Sequence, residues 1–191
     1  MFNKFTVTIL SVFSFLFILF KPLDRTPLEG SRYYYNSLEN VDKIRDDIEN
    51  TLDGDTIKVG WAKESLIPTD PVPLAGYGAR EGANFEGIND TVFVKAVIFD
   101  NKITKAAYVS MDLLIVPPNL DHKKILDKLS FEVDNLYLTA SHTHSSFGGY
   151  LEGLAGEIFG GKYSEDILEF ITNKTILALE EAYYKREKSK I

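Results

Sequence analysis

The 191-residue sequence contains no cysteine. That absence excludes disulfide frameworks, iron–sulfur clusters, thiolate zinc sites, cysteine nucleophiles and cysteine-linked lipid anchors. Histidine is scarce, at positions 122, 142 and 144 only. A metal site built from this chain must therefore recruit oxygen ligands or remain incomplete. Basic residues are in deficit, 21 against 28 acidic, for a net charge of −7. A nucleic-acid partner would call for a basic surplus, so none is expected. No G-x-x-x-x-G-K-[ST] pattern occurs, and a nucleotide-binding P-loop is unsupported. There are no internal repeats. What is present is an ordinary globular balance, 45% hydrophobic and 26% charged residues. The length suits one domain with appendages.

The first thirty residues read as a separate object. Between Lys4 and Lys21 lie 16 residues without a charge, FTVTILSVFSFLFILF. A spanning helix needs about 20 apolar residues, with a lower limit near 17, and flanking lysines can snorkel to lengthen a short one. A signal-peptide core is about 7–15 residues, and no A-x-A cleavage pattern follows. Residues 5–20 are expected to form a transmembrane signal anchor within a 1–30 segment. A cleaved signal peptide and a buried core helix are the alternatives. Either membrane reading puts the remaining chain outside the cytoplasm, periplasmic or extracellular.

Residues 31–54 are expected to form a connector helix, because Tyr34, Leu38, Val41, Ile44, Ile48 and Leu52 recur at helical spacing before Asp53-Gly54. Residues 55–191 are expected to form one layered α/β unit, a mixed α+β sheet with packed helices. Its strands are placed at Ile57–Glu64, Thr91–Phe99, Lys105–Leu114 and Leu136–Ser141. The second and third are joined by Asp-Asn turn chemistry into an antiparallel hairpin. A short helix follows Asn119 or Asp121, either of which can cap it. His122, in the charged run DHKK, is expected at the surface. The last element is a helix over Ser164–Lys188, with Ile167, Ile171 and Ala178 on its buried face. The terminal AYYKREKSKI reads as a helix end with no closing strand.

One constellation carries chemistry. The strand LYLTAS runs into His142-Thr143-His144, followed by Ser145, Ser146 and the Gly148-Gly149 turn. On extended backbone, residues i and i+2 share a face about 6.5–7 Å apart, so the two imidazoles can converge. Neutral imidazole is a good zinc ligand. The alternative is two histidines hydrogen-bonded to neighbouring backbone. A second motif, PVPLAGYGAREG, clusters Gly76, Tyr77 and Gly78 in a turn-rich stretch that could cradle a substrate. Asp112 ends an apolar strand and is a candidate to orient an imidazole from behind. Arg80, Glu81, Glu152 and Glu157 are further polar residues in these loops.

Together these stretches resemble the N-terminal catalytic region of the neutral/alkaline non-lysosomal ceramidases. The shared features stand in order from Ile57 to Tyr150: a strand ending in a proline turn, the LAGYG loop, G-x-x-D-x-x-x-x-K-A, S-M-D-L-L, and T-A-S-H-T-H-S followed by Gly-Gly. The resemblance implies a zinc-dependent amidase that splits N-acyl sphingoid lipids. It implies His142 as a zinc ligand and His144 as a catalytic side chain lining the same site. Asp112, Gly76, Tyr77, Gly78, Ser145, Gly148 and Gly149 then become supporting or substrate-loop candidates. Two departures stand out. The family's Ser-Gly-Pro after the histidines is Ser145-Ser146-Phe147 here. The family's remaining zinc ligands, a later histidine, a glutamate and a tyrosine, lie well beyond this loop, and no histidine follows His144. The expectation is the N-terminal part of a longer enzyme, with the other zinc ligands outside this chain and an apolar surface left uncovered. Two alternatives are carried: an inactive membrane-anchored binding module, and a metallo-β-lactamase-like hydrolase. The second requires H-x-H-x-D-H, and Ser146 and Phe147 occupy its last two positions.

Overall fold

The computed structural model describes residues 9, 11–15, 27–51 and 57–189. The chain divides into two units, Met1–Asp53 and Gly54–Ile191. In the first, residues 11–15 are helical, and helix α1 spans Arg32–Thr51. Ser31 starts α1 by accepting the Tyr34 N–H at 3.1 Å. Leu38, Val41 and Ile44 of its expected apolar face are exposed. Leu52 lies outside the described residues, as does most of the expected anchor at 5–20. No helix among the described residues is long and apolar enough to cross a membrane.

The second unit is a five-stranded mixed sheet of order β4-β3-β2-β1-β5. Its strands are β1 Ile57–Ser65, β2 Phe93–Asp100, β3 Lys105–Met111, β4 Asn135–Ala140 and β5 Glu187–Ser189. The hairpin β2–β3 is antiparallel in the register Val97↔Tyr108. Its link closes on its own side chains. Asn101 Oδ1 accepts the N–H groups of Ile103 and Thr104, and Asp100 Oδ1 that of Lys102. These bonds hold Lys102 in the left-handed region at φ 73°. β4 joins β3 in parallel, through a crossover containing helix α2, His122–Asp127. Asp121 caps α2 by accepting from Lys123 and Lys124 N–H, and His122 is exposed as expected.

Helix α3 covers Gly153–Gly160 and helix α4 covers Glu165–Tyr184. α4 packs on one face of the sheet through Ile167, Ile171, Ala178 and Leu179, against Ala62, Val94, Ala96 and Ile98. The small β1 residues permit a close approach. At Gly60 an added Cβ would lie 2.0 Å from the Ala182 carbonyl oxygen. Ser164 stands at the N-cap of α4 without a side-chain capping bond, and Glu165 and Asp166 supply acidic charge in the first turn.

Two expectations fail here. The chain does not end on a helix: α4 stops at Tyr184, and β5 pairs antiparallel with β1 in the register Lys58↔Lys188. Arg186 secures that exit by an ion pair with the buried Asp100, its guanidinium 3.4 Å from the Tyr183 ring centroid. α3 is the second addition, a short glycine-flanked helix in sequence that reads as loop. The sheet face opposite α4 carries the cross-strand row Trp61, Val97, Tyr108 and Tyr137. Its aromatics are 65%, 46% and 57% exposed.

Candidate functional site

The parallel ladder between β3 and β4 extends one bond further, from Ser141 N–H to the Met111 carbonyl at 2.9 Å. The chain then leaves the sheet abruptly. His142 is in the left-handed region at φ 58°. The expected mechanism of convergence, two alternate residues on extended backbone, is therefore not the one used. The imidazoles do converge: their ring centroids are 5.1 Å apart, at an interplanar angle of 79°. A left-handed non-glycine residue costs about 1–2 kcal/mol and persists only where its surroundings over-determine it.

Part of that determination is visible at the imidazole. His142 Nδ1 lies 2.7 Å from the Leu114 carbonyl oxygen. A carbonyl only accepts, so Nδ1 carries a proton, and in the neutral imidazole Nε2 keeps its lone pair. This is the arrangement metal-bound histidines commonly show, with the far nitrogen donating to a backbone carbonyl. His144 is half-buried. Its Nδ1 is buried without a hydrogen-bond partner, as is the Oγ of Ser146.

The glycine loop is fastened directly onto the histidine loop. Leu74 bridges Phe147, Ala75 N–H donates to the Ser146 carbonyl at 3.0 Å, and Gly148 N–H donates to the Pro73 carbonyl at 2.6 Å. Gly76, at φ 110°, sits against the His144 ring so closely that a Cβ would meet Nδ1 at 2.6 Å. Its N–H is taken by the Phe159 carbonyl of α3 at 2.7 Å. The Tyr77 ring leans on His144, with centroids 4.7 Å apart. Gly78 opens a 3-10 turn over Gly78–Arg80 that ends with Glu81 left-handed. From that turn the Arg80 guanidinium donates to the carbonyls of Ala75 at 2.5 Å and His144 at 2.8 Å, over the Tyr77 ring. Gly148 and Gly149 are buried behind the site, and Ser145 is exposed, its N–H donating to Thr143 Oγ1.

Asp112 needs a correction. Its carboxylate accepts from Phe93 N–H at 3.0 Å and from Lys95 Nζ at 2.9 Å. Both partners are on β2, so Asp112 fixes the end of the hairpin and does not orient an imidazole. It also borders a groove of about 520 Å3, within the range of small-ligand pockets. The groove has apolar residues Leu74, Phe85 and Phe147 on its lining, and polar residues Ser141 and Thr143. Sequence reasoning did not find Tyr150 or the Leu114 carbonyl. The only prior signal was the Gly-Gly-Tyr ending of the loop.

Among the described residues, no group of three or more His, Cys, Asp or Glu side chains is placed to hold a metal ion. His142 fits as a contributor to such a site, by its tautomer, with the His144 ring beside it, but it does not complete one.

A glycine loop and a histidine loop fastened together at one end of a helix-covered mixed sheet define a class of α/β proteins with an imidazole-lined site. The comparisons narrow that class. Residues 67–191 match the family "Neutral/alkaline non-lysosomal ceramidase, N-terminal", and the chain belongs to that family. Two solved structures share the fold. One is a ceramidase complexed with C2, with a TM-score of 0.58 and 21% identity over 69% of this chain. The other is the neutral ceramidase from Pseudomonas aeruginosa, with a TM-score of 0.60 and 21% identity over 71% of this chain. The chain spans 22% of the length of each.

Proposed function

We propose that this chain supplies part of the active site of a zinc-dependent amidase that cleaves ceramide-like N-acyl sphingoid lipids. The observation that carries the reading is the His142 tautomer. Nδ1 is committed to Leu114, so Nε2 offers its lone pair outward, 5.1 Å in ring separation from a second imidazole. His142 is the residue that would hold zinc. Bound zinc polarises the amide carbonyl and lowers the pKa of a water molecule. His144 has its ring pinned by Gly76 and Tyr77. Its unpaired Nδ1 is buried, so Nε2 is the nitrogen left to hold or pass a proton at the substrate. The adjoining groove would offer the lipid apolar lining from Leu74, Phe85 and Phe147, with Ser141 and Thr143 as polar lining beside the histidines. His142 alone falls short of the three protein ligands a catalytic zinc site usually has, so further donors from outside the described residues would complete the set.

Residues 5–20 are proposed to anchor the chain in a membrane, with residues 31–191 outside the cytoplasm, close to a lipid substrate. Alkaline extraction tests the anchor: complete release of the unprocessed chain would sink it. Calorimetric titration of the full chain with zinc, in detergent, tests the site. Weak binding that vanishes in His142→Ala is expected, with slow or no release of sphingoid base from an N-acyl sphingoid until the missing donors are supplied. Binding indifferent to His142→Ala would remove that residue from the site. Tight binding with full turnover by this chain alone would show that its own residues complete the site.

A further inference from the structure

Tyr150 is fully buried, and the proposed chemistry does not use it. A buried hydroxyl needs a partner, because an unpaired polar group in the interior costs about 1–3 kcal/mol. The Tyr150 oxygen accepts the Leu114 N–H at 3.1 Å. Burial pushes its pKa up to about 12, while hydrogen bonds from the Ile115 and Leu114 N–H groups pull the other way. Leu114 therefore presents its N–H to the phenol and its C=O to His142 Nδ1. One residue is held by both of its main-chain groups. It needs that grip: β3 has already ended at Met111, and residues 112–115 have no strand ladder to fix them. The phenol ring is itself located by edge-to-face contact with Phe147, at a centroid distance of 6.1 Å.

We propose that Tyr150 is a positioning residue for His142, acting through the main chain of Leu114 to fix the imidazole in its Nδ1–H tautomer with Nε2 free. A Leu114 whose N–H is held by the phenol keeps its carbonyl aimed at the imidazole. The consequence for zinc rests on the reading of His142 as a ligand. The geometric proposal stands without the metal.

The test is long-range proton–nitrogen correlation NMR on the full chain, in detergent micelles, metal-free, with nitrogen-15-labelled histidine. In the unaltered chain His142 is expected as a single Nδ1–H tautomer, and the Leu114 amide is expected to exchange as slowly as those of α4. An Nε2–H tautomer, or fast exchange at that amide, would overturn the proposal without any variant. In Tyr150→Phe the tautomer preference is expected to collapse toward a mixture. Ile171→Val, a core change remote from His142, is expected to leave it intact. An unchanged tautomer in Tyr150→Phe, or an equal change in Ile171→Val, would also overturn it. Zinc affinity is expected to fall about tenfold in Tyr150→Phe. A tautomer change with no zinc binding in any variant would uphold the positioning role and defeat the zinc reading. Zinc binding that needs His142 and ignores Tyr150 would do the reverse.

Discussion

The link of the β2–β3 hairpin and the histidine loop each force a non-glycine residue into the left-handed region, Lys102 at φ 73° and His142 at φ 58°. The two are held differently. Lys102 is secured by its immediate neighbours, Asp100 and Asn101. The histidine loop is secured by residues far away in sequence: Leu114 on its imidazole, Arg80 on the His144 carbonyl, and Gly76 under the His144 ring. The first loop is a self-contained turn. The second is a tertiary object, and its geometry is only as firm as its distant partners.

The largest expected effect comes from Gly76→Ala, which sharpens this contrast because it alters the histidine loop from 68 residues away. The new methyl would meet the His144 ring at 2.6 Å on a backbone at φ 110°. Strain and overpacking together should cost about 3 kcal/mol. Chemical denaturation should show the loss, and the His144 ring resonances should shift.

Next in size is a pH effect. Tyr150 has its pKa raised to about 12 by burial, against an ordinary value of 10. Its raised folded-state value means that the unfolded chain loses the phenolic proton first. The stabilisation is fully present below pH 10 and is lost as pH rises toward 12, by about 2–3 kcal/mol. Urea unfolding at intervals across that window should show the decline, and Tyr150→Phe should remove this component.

Arg80→Ala should cost about 1–2 kcal/mol, by withdrawing a charged donor from two carbonyls. Amide exchange should quicken at residues 144–148 and remain unchanged in the hairpin link. Equal quickening in both regions would break the contrast.

The smallest effects come from making the same substitution at both left-handed positions. Lys102→Gly relieves the conformation and removes no hydrogen bond that holds the turn, so it should stabilise by about 0.5–1 kcal/mol. His142→Gly gains the same relief but forfeits the bond to Leu114, so its net change should be near zero. Thermal unfolding of the pair decides this: a matching gain at both positions would mean that the His142 side chain contributes nothing to its own loop.

The same division governs what could be read in the sequence. β2 was legible because Val94, Ala96 and Ile98 alternate with outward residues and all three are buried. The hairpin was legible because Asp-Asn chemistry acts within a few residues. α4 was legible from its apolar spacing. β5 was not, because Glu187-Lys188-Ser189 has no apolar pattern and joins the sheet by main-chain pairing with β1. α3 was not, because its glycines read as turn signals, yet its Phe159 carbonyl holds Gly76. In the site, the pairing of the two histidines was legible but the reason for it was not. Extended backbone was expected, whereas a left-handed turn braced by Leu114 is found. Asp112 was assigned to an imidazole because it ends a strand near the histidines. Its partners on β2 become visible only once the hairpin register is known.

The pairing of β5 with β1 also sets an order of assembly. The register Ile57↔Ser189 joins residues 132 positions apart, whereas the hairpin closes over four residues. Hairpins of that kind form in about 1–10 μs, and long-range pairings wait on the loop entropy of everything between them. On a ribosome adding about 5–20 residues per second, β1 emerges many seconds before its outer neighbour exists. For that interval β1 is an open sheet edge, and its own exposed Trp61 makes the nascent chain a candidate for chaperone capture until Glu187–Ser189 arrives.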